Sequence, residues 1–174
     1  MTSLVLDASA ALAMPLMEPE AAAVRNAAGV RGVRVLVPWV FWLEVVNGLT
    51  RRHGWRADRV LRAVYDLEQV GVQEIAPDRV LLLSVIDLVE RHGLTAYDAS
   101  YLAVAISADA QLLTGDRRLA QAAGDRAIYV GIDSRSSEAP AEYGRSTWAA
   151  WPGAAAYLQE LRAEVLAQAR RPGR

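Results

Sequence analysis

The sequence predicts an α/β fold: a three-layer α/β/α sandwich around a central, mainly parallel sheet of about four or five strands. Three observations lead there. Short apolar runs recur at 4–7, 33–37, 72–76, 110–114 and 127–131, bounded by Asp, Pro, Gly or other turn formers. Between them lie longer stretches whose apolar residues recur at three and four positions, the helical period. Strands that alternate with helices pair in parallel, with helices over both faces of the sheet. At 174 residues the chain is long enough for one domain with a sizeable core plus an appendage.

Each element follows from local chemistry. Leu4-Val5-Leu6-Asp7 is a buried strand that stops on a carboxylate, and the small residues after it open a helical stretch through Leu12. A second helical stretch runs from about Glu18 to Ala28, where Pro19 suits a first turn. Val33-Arg34-Val35-Leu36-Val37 forms strand two, closed by Pro38. Trp39 to His53 is helical until Gly54 breaks it, and Asp58–Val70 resumes as a helix. Val72–Ala76 is strand three. Asp78 caps an apolar helix that reaches His92, with Gly93 in the expected position after its end. Thr95 precedes the helix Tyr97–Ser107; strand Ala110–Thr114, helix Arg117–Ala122 and strand Ala127–Gly131 follow. These elements define a domain over residues 1–132. Residues 133–174 form an extension, in which a Ser-, Ala-, Pro- and Gly-rich connector leads into an amphipathic helix, Ala154–Arg170, with Leu158, Leu161 and Val165 on one stripe.

Composition removes several functions. Hydrophobic residues make up 53% of the chain, yet no run approaches the ~18 uninterrupted apolar residues of a membrane span. Asp7 interrupts the first apolar segment and no basic stretch precedes it, so the sequence predicts no secretion signal. Without cysteine there are no disulfides, thiolate chemistry or Cys-type zinc sites. All 19 cationic side chains are arginine. The absence of lysine excludes a P-loop and a Schiff-base enzyme. With a net charge of −1, any polyanion must be held by a local arginine patch or by metal ions.

Four acids stand where strands or helices meet apolar runs. Asp7 ends strand one. Glu44 sits in mid-helix among Leu43, Val45 and Val46, with Asn47 and Arg51 three and seven positions on, along one helix face. Asp98 lies in the first turn of the most apolar helix, and Asp116 follows a strand end and Gly115. Asp98 also suits the positive end of its helix, Asp116 an N-cap, and Asp7 a cap for the helix after it. Should all four converge, two charges ~4 Å apart repel by roughly 4 kcal/mol at an effective dielectric of 20, and such a cluster requires cations or a raised pKa. Oxygen-only ligands suit a hard ion, Mg²⁺ or Mn²⁺, and the implied chemistry is metal-dependent phosphodiester hydrolysis.

The segments LVLDASA, WLEVVNGLTRR, LTAYDASYLAVA and LLTGDRRLA, in that order across Leu4 to Ile132, resemble the PIN-domain family, specifically VapC-type toxins of bacterial toxin–antitoxin pairs. The resemblance implies that Asp7, Glu44, Asp98 and Asp116 are the metal-binding catalytic acids of a ribonuclease. Ser9 and Thr114 correspond to hydroxyl residues beside them, and Asn47 to an amide one turn past the glutamate. It further implies a cytoplasmic homodimer acting on RNA and a cognate antitoxin lying over the active-site groove. Without lysine, Arg51, Arg52, Arg117 and Arg118 are the candidates for holding phosphates. Two rivals stand beside this reading: a catalytically silent PIN-like module that binds RNA or protein, and an aspartyl-phosphate phosphatase with Asp7 as nucleophile. The phosphatase generally needs a second aspartate where Ser9 stands, and a lysine.

Overall fold

The computed structural model describes residues 2–131; the extension over 133–174 lies outside the described residues. Among the described residues, five strands form one sheet: β1 (Ser3–Leu6), β2 (Arg34–Pro38), β3 (Val72–Ile75), β4 (Gln111–Thr114) and β5 (Ala127–Tyr129). Every pairing is parallel and the spatial order is β3-β2-β1-β4-β5. β1 is central and wholly buried, which is why it reads as a continuous apolar run rather than an alternating one.

Among the described residues, seven α-helices cover the sheet: α1 (Ala8–Leu16), α2 (Ala21–Ala28), α3 (Phe41–Asn47), α4 (Ala57–Glu68), α5 (Arg79–His92), α6 (Ala96–Ser107) and α7 (Arg117–Ala123). α1 packs with α2, α3 and α4, whereas α6 packs with α5 and α7 and lies on β1, β2 and β4. This is the expected α/β/α sandwich. α6 is buried from Ala99 to Ala105, so its unbroken apolar sequence reflects contact with neighbours all round. Asp78 and Thr95 cap α5 and α6 through their side chains, and Gly93 closes α5 at φ 63°. Among the described residues no helix is long and apolar enough to cross a membrane.

Two elements differ from expectation. α1 continues past Leu12 to Leu16 and includes Pro15. The proline removes a single donor near the end of the helix, and the helix stops directly afterwards. There Met17 adopts a left-handed conformation and the Glu18 N–H reaches back to the Ala13 carbonyl. The stretch Trp39–His53 is helical only in part: α3 ends at Asn47 and a π-helical turn, Gly48–Arg52, follows. Its His53 N–H bonds the Gly48 carbonyl five residues back. Gly48 faces Leu12 of α1 so closely that a Cβ there would stand 2.7 Å from the leucine Cδ1.

Strand order also determines where a site can form. β2 and β3 extend the sheet on one side of β1, while β4 and β5 extend it on the other. The topological switch therefore lies between β1 and β4, and ligands of open α/β sheets bind beyond the carboxyl ends of strands at such a switch. The register pairs Leu6 with Leu113, so the next residues, Asp7 and Thr114, emerge side by side.

Candidate active site

Asp7 is buried, and its backbone N–H is anchored to the Leu113 carbonyl at 3.0 Å. Although it occupies the N-cap position of α1, its side chain makes no capping bond. Instead the carboxylate Oδ2 accepts hydrogen bonds from Thr114 Oγ1 at 2.6 Å and from Ser9 Oγ. Each hydroxyl is itself polarised by a backbone donor, Asp116 N–H on Thr114 and Gly115 N–H on Ser9, both at 2.9 Å. With their lone pairs engaged by N–H groups, both hydroxyls aim their protons at Asp7. Burial raises the Asp7 carboxyl above its ordinary value; the Ser9 and Thr114 bonds oppose this, and Asp98 adds repulsion.

Glu44, half-buried on α3, accepts a 2.5 Å hydrogen bond at Oε2 from the Tyr101 hydroxyl of α6. Its carboxyl is pushed up to about 7, by burial first, with Asp7 and Asp98 contributing repulsion and the Tyr101 bond pulling the other way. The Tyr101 phenol is also raised, chiefly by burial and then by Asp7 and Glu44, so it remains a donor.

Asp98 and Asp116 play two parts each. The Asp98 carboxylate Oδ2 accepts from Thr95 Oγ1 at 2.8 Å, while its N–H donates to that same oxygen at 3.1 Å. Asp116 caps α7 by accepting from Leu119 N–H at 2.9 Å. Both nonetheless line the same open cavity, of about 740 Å³, as Asp7 and Glu44. Ser9, Asn47, Arg51 and Arg52 line it too. Asn47 and Arg51 thus share a face with Glu44 as the spacing predicts, and the wide π turn places Arg52 beside them.

Other candidates lie elsewhere. Arg118 is not on this cavity; its guanidinium donates to the Gly93 carbonyl at the end of α5 at 2.9 Å. Arg117 is exposed away from it. Trp39 and Trp42 pack against the core, and Trp42 meets Phe41 edge-on with centroids 4.8 Å apart. Sequence reasoning missed three contributors: Tyr101 below the cavity, and the exposed Tyr97 and Leu43 at its wall. The signal for Tyr101 was present, since a phenol in an apolar helix needs a polar partner. It also lies three residues after Asp98, on the same helix face.

The donor set is all oxygen, and the raised Asp7 and Glu44 are what a divalent cation would relieve, so the chemistry fits a hard ion. The acids share one cavity without closing on one point: among the described residues, no group of three acid or histidine side chains is placed to hold an ion.

A PIN domain family model matches residues 4–125. Among solved structures, PAE2754 from Pyrobaculum aerophilum is similar at 25% identity and a TM-score of 0.56, over 74% of this chain and 90% of that one. VapC20 from Mycobacterium tuberculosis, a sarcin-ricin-loop-cleaving toxin, aligns at 17% identity and a TM-score of 0.56, over 68% and 94% of the two chains. A toxin–antitoxin complex from Klebsiella pneumoniae aligns at 17% and 0.55, over 74% and 99%. These last two likenesses are of fold. No curated protein matches the sequence.

Proposed function

The chain belongs to the PIN domain family, and from that premise we propose that it is a metal-dependent endoribonuclease, the cytoplasmic toxin of a toxin–antitoxin pair. One observation carries the reading: four acids from four separate segments line one cavity with Arg51 and Arg52. Asp7, Glu44 and Asp98 would hold Mg²⁺ or Mn²⁺, with Asp116 completing the set. Such an ion, when bound, activates water and offsets charge on a phosphoryl oxygen. The chain's own residues do the rest. Ser9 and Thr114 orient the Asp7 carboxylate by donating to its Oδ2. Arg51 and Arg52 hold the RNA backbone, Asn47 contributes an amide, and exposed Tyr97 offers a ring on which a base can stack. RNA as substrate and an antitoxin as partner are supported by the likeness to VapC20 and the Klebsiella complex, and a homodimer by the family resemblance.

Purified protein is expected to cut single-stranded RNA with Mg²⁺ or Mn²⁺ and to stop with EDTA. Cleavage that persists in Asp7→Asn or Asp98→Asn would overturn the mechanism. The spread of the acids favours a second reading, a silent module of the same fold. Calorimetric Mn²⁺ titration beside the cleavage assay separates the two, since binding without cleavage identifies the module. The phosphatase reading finds no support: Ser9 stands two residues after Asp7 and hydrogen-bonds to it, and the chain has no lysine.

A further inference from the structure

Tyr101 takes no part in lining the cavity, yet it is fully buried and directs its hydroxyl at one oxygen of a cavity acid. We propose that Tyr101 is a positioning residue that fixes Glu44 for a divalent cation, holding Oε2 from below and leaving Oε1 as the oxygen offered to the ion. The inference rests on the nuclease reading above and deepens it.

The geometry favours this over a purely structural role. The ring of Tyr101 lies among apolar neighbours on α6, where phenylalanine would fill the same volume. Its hydroxyl instead crosses from α6 to α3, joining positions 57 residues apart in the chain. Glu44 is flanked by apolar residues in the first turn of α3, and its carboxylate takes its hydrogen bond from Tyr101 and not from that turn. Of the three other acids, Asp7 is fixed by Ser9 and Thr114, Asp98 by Thr95 and Asp116 by Leu119 N–H. Tyr101 supplies the corresponding donor for Glu44. Donors of this kind orient ligands to a metal, and their loss weakens metal affinity by roughly 10- to 100-fold.

The test is Tyr101→Phe, with Mn²⁺ binding measured by calorimetry and melting temperature measured in EDTA and at a fixed Mn²⁺ concentration near the wild-type Kd. Mn²⁺ affinity is expected to fall roughly 10- to 100-fold, and the rise in melting temperature on adding Mn²⁺ at a fixed concentration near the wild-type Kd is expected to shrink. A merely structural hydroxyl would lower the melting temperature in EDTA and leave both the affinity and the Mn²⁺-dependent rise as in wild type; that result overturns the inference. Wild-type protein that binds no Mn²⁺ would bring down the metal reading itself, whereas wild-type binding with unchanged Tyr101→Phe affinity overturns the role of Tyr101 alone.

Discussion

Replacing Glu44 with glutamine removes a charge and preserves the shape, because the amide carbonyl still accepts from the Tyr101 hydroxyl. Folding raises the Glu44 carboxyl from 4.5 to about 7, so the folded chain binds this proton more tightly than the unfolded chain does. The destabilisation that the charged carboxylate imposes is therefore absent below about pH 4.5, grows as pH rises, and is complete above about pH 7. A rise of about 2.5 pH units at about 1.36 kcal/mol each gives about 3.4 kcal/mol for a group sealed from water. Glu44 opens onto the cavity, and solvent screening reduces this to about 1–2 kcal/mol. In metal-free buffer, Glu44→Gln is expected to be more stable than wild type by that amount at pH 8 and nearly equal to it at pH 4.5. Urea melts at the two pH values measure the difference at constant slope. A glutamine variant no more stable than wild type at pH 8 would refute the claim that burial of the Glu44 charge, with repulsion from Asp7 and Asp98 added, strains the metal-free site.

Thr114→Val deletes a hydroxyl that serves both Asp7 and the Asp116 N–H; it is expected to lower stability by about 1–3 kcal/mol, because Asp7 loses a donor and the Asp116 N–H an acceptor. Denaturant melts check it. Arg51→Ala and Arg52→Ala are each expected to weaken RNA binding and to flatten the dependence of log affinity on log salt by about 0.7 for each phosphate no longer neutralised. Arg118→Ala should leave RNA binding unchanged, since its guanidinium is engaged at the end of α5; filter binding across a salt series distinguishes them. Mn²⁺ at 100 times its dissociation constant should stabilise the wild type by about 2.7 kcal/mol, and most of that gain should vanish in Asp7→Asn, as a thermal melt will report.

The fold was legible because its strands are short, apolar and closed by residues that cannot continue them, such as Pro38, while Asp78, Thr95 and Gly93 mark helix ends. The end of α1 was harder to place: Pro15 looks like a breaker but lies where the helix loses only one donor. The π turn was not legible at all, because it accompanies a close approach of Gly48 to Leu12 of another helix. Within the site, Glu44 could be found as an acid with no local reason to be there. Asp98 and Asp116 could be found but not interpreted, since each also caps a helix and the cap alone accounts for the residue type. Tyr101 left only its phenol as a signal, in a helix so apolar that one more aromatic ring also reads as packing. Arg51 and Arg118 look equivalent in a linear sequence, and only the tertiary placement of their helices puts one on the cavity and the other against the Gly93 carbonyl.

A common design principle links the four acids. Asp7, Glu44, Asp98 and Asp116 each give one carboxylate oxygen to a donor from the chain: a pair of hydroxyls, a phenol, a hydroxyl and a backbone N–H. Each carboxylate is thereby oriented by the chain itself, and its charge is partly compensated. The arrangement also explains why the β1–β4 switch point is the right place for it. Neighbouring strand ends there put the Asp7 carboxylate within reach of the Thr114 hydroxyl, and set the Gly115 and Asp116 N–H groups on Ser9 Oγ and Thr114 Oγ1, the two hydroxyls that donate to it.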